Sequence, residues 1–368
     1  MILKKSVVAG LAFLLFVFSG RFLSKKNNQP VTPQVAGITS NQPTSNKDIV
    51  LKSSGIKDGY NYWLFENTKY PCGKSGNHQF LVLQKGASND QRHLNVRFKG
   101  GAAGFFLNDG VTYFPSQGLT SILYVDKEVT EMFATALDDG LAKLVRARSD
   151  WRIMVPSYCS HDFYIGTGQF NQIDNFARWG YPAAKAAIDF TQSKFPTDVI
   201  VTSGTSAGAS GAFFHGYNRP NVVGIVMDSN ADDLLSMRNN CAKGIWPYTK
   251  EWACQCDGKI CADTLAERIG FKIGTNEPYL MVKKGLVNKP VYLIWNQYDQ
   301  TWNGQNAHLQ FDNLMQALKT YNPGGKSVGK MVCVTNPATN KPCFVHSPTK
   351  YDTPETTAVF NWMLSLVP

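Results

Sequence analysis

The sequence predicts an α/β protein built on a mostly parallel, doubly wound sheet. Three observations point there. Short apolar runs alternate with helical stretches from Asp48 onward. Several of those runs are continuously apolar, as strands covered on both faces are. One stretch, "VIVTSGTSAGASGAFFHG" over residues 199–216, passes from strand to helix through a turn of small residues. Strands alternating with helices are the pattern of a parallel sheet with helices on both faces.

The predicted strands are Gln79–Gln84, His93–Phe98, Arg152–Val155, Val199–Ser203, Val222–Asp228, Val291–Trp295 and Lys330–Thr335. The predicted helices are Asn171–Lys194, Ala207–Tyr217, Gly304–Lys319 and Thr353–Leu366. The alternation breaks between Asp233 and Pro290, where four cysteines accompany Ile245, Trp246, Pro247, Tyr248 and Trp252. That stretch, about 233–290, reads as a cap insertion over one end of the sheet.

A chain of 368 residues is long enough to bury a full core, and 43% hydrophobic with 17% charged residues is ordinary for a globular protein. The net charge of +10 is partly local. Residues 1–26 hold Lys4, Lys5, Arg21, Lys25 and Lys26 and no acid, so five of the 37 basic residues lie there. The remaining positive charges are scattered rather than set in a stripe, which argues against a nucleic-acid partner.

Two lysines before the apolar stretch Val7–Phe18 give residues 1–26 the layout of a secretory signal peptide. No small-x-small cleavage site follows, so an uncleaved membrane anchor is the alternative. Residues 27–47 are rich in Asn, Gln, Pro, Ser and Thr and read as a flexible linker to a folded domain over 48–368. Export places that domain outside the cytoplasm, secreted or periplasmic.

Eight cysteines, Cys72, Cys159, Cys241, Cys254, Cys256, Cys261, Cys333 and Cys343, suit an oxidising compartment and imply four disulfides. A zinc site at Cys254, Cys256 and Cys261 is the rival reading. Its spacing is not that of common zinc motifs.

Ser206 lies in Gly204-Thr205-Ser206-Ala207-Gly208, after a strand and before a segment that can start a helix at once. A nucleophile elbow needs this strand–turn–helix arrangement, with small neighbours around a strained serine. A serine hydroxyl needs a histidine base and usually a carboxylate to orient it. Where an elbow of this kind is used, the partners follow in the order Ser, acid, His. Asp299 follows strand Val291–Trp295, at the carboxyl end where parallel sheets place their ligand groups. Asp228, Asp232 and Asp233 are the rival acids. Beyond Asp299 the histidines are His308, on the surface of a predicted helix, and His346, in a loop before the last helix; His346 is the expected base. An oxyanion hole needs backbone N–H groups. Ala207 supplies one, and the glycine-rich turn of "LNVRFKGGAAGFF" after strand His93–Phe98 supplies the other.

These residues resemble the pectin acetylesterase/Notum group of extracellular carboxylesterases, which have an α/β-hydrolase fold. The likeness runs from about Tyr60 to Pro368 through "YPCGKSGNHQFLVL", "RFKGGAAGF", "VPSYCSHDFYIG", "VIVTSGTSAGASGA", "IWNQYD" and "VHSPTKYDTPETTAVFNWM". It implies Ser206 as nucleophile, Asp299 as acid, His346 as base, N–H donors at Gly101, Ala102 and Ala207, and a bridge between Cys72 and Cys159. Cys333 and Cys343 flank a short loop and can pair with each other. Cys241, Cys254, Cys256 and Cys261 leave three pairings open. In one departure, Ala102 and Ala103 stand where the family has an aromatic residue with a cysteine close behind. That opens one side of the carbonyl pocket.

The expectation is an exported, monomeric serine carboxylesterase that needs no metal or cofactor and acts on short-chain O-acyl esters through an acyl-enzyme. Its partner would be an acylated polysaccharide, lipid or small ester, with Trp246 and Trp302 as candidate pocket residues. A catalytically silent scaffold that binds a glycan or protein is the alternative from another class. A thioesterase, polyester depolymerase or serine peptidase would use the same triad.

Overall fold

The computed structural model describes residues 46–101, 103–114, 125–171, 176–230, 232–243, 254, 259–299, 301, 304–322, 325–337 and 339–368. The expected signal segment, nearly all of the linker, Ala102, Trp246, Cys256 and Trp302 lie outside the described residues. No helix among the described residues is long and apolar enough to cross a membrane.

The strands are β1 Ile49–Lys57, β2 Tyr60–Pro71, β3 Asn77–Lys85, β4 Arg92–Phe98, β5 Phe105–Phe106, β6 Tyr113–Phe114, β7 Trp151–Pro156, β8 Gln169–Asn171, β9 Phe176–Arg178, β10 Thr197–Thr205, β11 Val222–Asp228, β12 Val291–Asn296 and β13 Val328–Val332. The helices are α1 Val125–Leu137, α2 Gly140–Arg146, α3 Gly180–Lys194, α4 Ala207–Gly216, α5 Leu234–Ala242, α6 Cys261–Ile269, α7 Pro278–Lys283, α8 Gly304–Tyr321 and α9 Pro354–Leu364.

Nine of these strands form one sheet in the order β1-β2-β3-β7-β4-β10-β11-β12-β13. From β7 to β13 every neighbouring pair is parallel. β1, β2 and β3 add an antiparallel flank. The central strands feed two cores by their period of two. Ile200, Ile225 and Leu293 pack with residues of α3, α4, α6 and α8 on one face. Val201, Val226 and Ile294 pack with residues of α1, α2 and α9 on the other. A strand buried on both faces cannot alternate apolar with polar, so these segments read as unbroken apolar runs.

Two expectations change. The helix expected over Asn171–Lys194 begins at Gly180, and Gln169–Asn171 pairs with Phe176–Arg178 as a short hairpin. The helix start is set from outside the segment: the Asp162 carboxylate accepts the Gly180 N–H at 2.9 Å. The last strand, expected at Lys330–Thr335, runs over Val328–Val332. Beyond it the Asn296 amide donates to the Val334 carbonyl at 2.9 Å and accepts the Val334 N–H at 3.2 Å, so a side chain replaces the ladder. The expected cap insertion contains α5, α6 and α7, between β11 and β12.

Cys72 is bonded to Cys159, Cys241 to Cys254 and Cys333 to Cys343, and Cys261 is also in a disulfide. No described cysteine is free.

Candidate active site

Ser206 stands between the end of β10 and the start of α4, at φ 53° and ψ −125°. An L-residue held there stores about 1–3 kcal/mol of backbone strain, which persists only where the surroundings over-determine it. They do so here. The Ser206 N–H donates to the Asp228 carbonyl at 2.7 Å, and the Ala209 N–H donates to the Ser206 carbonyl at 2.8 Å. A Cβ on Gly204 would sit 1.8 Å from the Gly208 carbonyl oxygen, and one on Gly208 would sit 2.3 Å from that of Phe98. Strand, helix and neighbouring strand therefore cross at backbone contact, which is why the turn is written in glycine and alanine. Ala207 opens α4, where the first-turn N–H groups have no partner within the helix.

Asp299 and His346 form a pair. The His346 Nδ1 lies 2.7 Å from one Asp299 carboxylate oxygen and 3.0 Å from the other, leaving Nε2 as the outer ring nitrogen. The Asp299 side chain is fully buried and is fixed by its own strand and loop: the Trp295 indole N–H donates to Oδ2 and the Thr301 N–H to Oδ1, each at 2.8 Å. Among the described residues no hydrogen bond joins Ser206 to His346. Such bonds are often long until substrate is bound. His308, the other histidine beyond Asp299, is exposed on α8.

The rival acids serve elsewhere. Asp228 accepts from the Thr349 N–H at 2.8 Å, the Thr349 hydroxyl at 2.6 Å and the Ser229 hydroxyl at 2.9 Å. Burial pushes its carboxyl up to about 6, against the pull of those donors. Burial also pushes Asp232 up to about 7 despite the Asn230 amide donating at 2.6 Å. Asp233 caps α5 through the Ser236 N–H at 2.9 Å.

The glycine turn lies against the elbow. A Cβ on Gly100 would fall 3.3 Å from the Ser206 Cβ, and one on Gly101 would fall 2.8 Å from the Tyr158 ring. Ala102, the third expected donor, is outside the described residues. Sequence reasoning missed what holds this turn. The Lys99 ammonium, buried at the end of β4, is paired with Glu128 at 3.1 Å and with Glu131. Glu128, buried on α1, also accepts the Tyr158 N–H. Burial drives the Glu128 carboxyl up against the pull of Lys99. For Lys99, burial acts downward, but Glu128 and Glu131 outweigh it and the ammonium is held above its ordinary value. Nothing local in the sequence marks this cluster, because its members come from β4, α1 and the start of the "SYCSHD" loop.

A cavity of about 220 Å³ opens beside the turn, lined by Lys99, Gly100, Glu131, Asp139, Thr205 and Lys350 among others. Its walls are charged, so it is no hydrocarbon slot. Neither Ser206 nor His346 lines it.

A parallel sheet of this strand order, a strained serine elbow after β10, an acid after β12 and a histidine after β13 decide the architecture. The fold is that of an α/β-hydrolase. No protein-family model and no curated protein matches the chain. Among solved structures it is similar to an S-formylglutathione hydrolase from Agrobacterium tumefaciens, at 10% identity over 86% of this chain and 99% of that one, with a TM-score of 0.49. It is also similar to a glucuronoyl esterase from Solibacter usitatus, at 11% identity over 87% and 86%, TM-score 0.49. A third is an acetyl xylan esterase from Paenibacillus sp. R4, at 10% identity over 87% and 88%, TM-score 0.48. These are likenesses of backbone course; the fold assignment rests on the strand order and the elbow.

Proposed function

We propose that the protein is an exported serine carboxylesterase of the pectin acetylesterase/Notum type, acting on short O-acyl esters. The observation that carries the reading is the combination of a strained Ser206 at an elbow with a His346 ring clasped by the buried Asp299 carboxylate. Asp299 fixes the ring so that Nδ1 keeps its proton and Nε2 is the free base. His346 then takes the Ser206 proton as Oγ attacks the ester carbonyl. The developing oxyanion is received by the N–H groups of Gly101, Ala102 and Ala207. The protonated His346 returns its proton to the leaving alcohol, and water, activated by the same ring, releases the acid from the acyl-enzyme.

The test is direct. The purified chain is expected to hydrolyse p-nitrophenyl acetate or butyrate and to be labelled at Ser206 by a fluorophosphonate. Ser206→Ala and His346→Ala should each lose about four orders of magnitude or more in kcat/KM without a lower melting temperature. A wild type with neither turnover nor labelling sinks the reading, and faster cleavage of peptides than of esters would make it a peptidase. Turnover on acetylated polysaccharides against simple esters sorts the substrate class.

A further inference from the structure

The end of β11 touches both halves of the candidate site. The Asp228 carbonyl receives the Ser206 N–H at 2.7 Å. Its carboxylate, fully buried, receives the Thr349 N–H at 2.8 Å and the Thr349 hydroxyl at 2.6 Å. The next residue, Ser229, accepts the Ser347 N–H on its hydroxyl at 3.2 Å. The His346 loop is thus gripped just after the histidine by Asp228, whose carbonyl also holds the serine, and by its neighbour Ser229. On the far side the buried Arg97 guanidinium of β4 donates to the Thr349 hydroxyl at 3.0 Å and to Asp139 at 2.7 Å. Asp139 in turn caps α2 through the Ala142 N–H.

The backbone marks the same spot. Ser206, Ser229 and Ser347 all have positive φ, at 53°, 52° and 66°. Such conformations in non-glycine residues are costly and cluster where geometry matters more than stability. Glycine would serve better at Ser229 if the chain only had to turn there, but glycine has no hydroxyl for the Ser347 N–H.

We infer that Asp228 and Ser229 are positioning residues that set the separation of Ser206 from His346. They act through the Ser206 and Ser347 N–H groups and Thr349, and touch no substrate. The inference rests on the serine-esterase reading for its catalytic consequence, but its structural claim stands on its own.

The test is Ser229→Gly, which relieves the positive φ while removing the hydroxyl. With p-nitrophenyl acetate, kcat should fall about tenfold or more, since small misplacements of reacting groups cost on that order. KM should stay within about twofold and the melting temperature should hold. In hydrogen–deuterium exchange the native-state peptide over residues 344–351 should exchange faster. Asp228→Ala should lose more activity, and Asp228→Asn, which keeps an oxygen for Thr349, should recover part of that loss. Unchanged kcat with unchanged exchange overturns the inference. So does a loss of activity that merely tracks a lower melting temperature, or an Asp228→Asn no better than Asp228→Ala. Should the wild type show no ester turnover, the esterase reading fails, and the exchange at Ser347 alone decides this one.

Discussion

At Ser206 the turn is held by main-chain atoms at close quarters: Gly204 meets Gly208, Gly208 lies against the Phe98 carbonyl, Ala209 bonds back to the serine, and the Asp228 carbonyl takes the serine N–H. At the neighbouring Gly100–Gly101 turn the holding groups are side chains, two of them charged. Lys99 is paired with Glu128, Glu128 takes the Tyr158 N–H, and the Tyr158 ring lies against Gly101. One feature is kept in shape by crowding, the other by buried charge. The difference teaches which perturbations each can bear: the elbow tolerates no added atom, and the turn tolerates no missing charge.

The largest effect should come from adding a methyl at the elbow. Gly208→Ala would drive a Cβ into the Phe98 carbonyl with no flexible side chain to yield. The expected loss is more than about 4 kcal/mol in a urea titration, or failure to fold. A variant that is stable and active would break the comparison. Next is Glu128→Gln, which leaves the buried Lys99 ammonium with the partly exposed Glu131 as its ion-pair partner among the described residues. The expected cost is about 3 kcal/mol. Ester turnover should fall with it as the turn loosens, while fluorophosphonate labelling of Ser206 persists. Gly101→Ala should cost less, about 1–2 kcal/mol, because a Tyr158 ring can shift where a carbonyl cannot.

A separate effect concerns pH. Asp232, just beyond β11, is pushed by burial to about 7 in the fold and titrates near its ordinary value of about 3.9 when unfolded. Between those values the native state binds more protons than the unfolded one, so this group adds stability as pH falls from 8 toward 4. His78 and His215, both buried and pushed by burial down to about 3, act oppositely: the unfolded chain binds the extra protons below about 6.5, and stability is lost there. Asp232→Asn isolates the carboxylate's contribution. Scanning calorimetry should show the variant melting about 2–5 °C above wild type at pH 8, the two converging near pH 4. A constant offset at both pH values would assign the effect to packing instead.

Legibility in the sequence followed the range of the interactions. The unbroken apolar runs at Val222–Asp228 and Val291–Trp295 announced strands buried on both faces, and they are. The β1–β2 hairpin is also written locally, in Asp58-Gly59, whose two positive φ angles fit a type I′ turn. The start of α3 was not written locally, since the Asp162 carboxylate that caps it comes from another loop.

By itself the sequence determined the alternation of strand and helix, the small-residue turn at Ser206 and the order of Ser206, Asp299 and His346. Each is a matter of local period, backbone crowding or position along the chain. Only the tertiary structure decided that Asp299, and not Asp228, meets the His346 ring. It alone showed that Asp228 bonds to both Ser206 and Thr349, that Ser229 holds Ser347, and that Lys99 and Glu128 pair beside the glycine turn. Hydrogen bonds and buried ion pairs join whichever residues the packed sheet brings together, and that meeting has no signature along the chain.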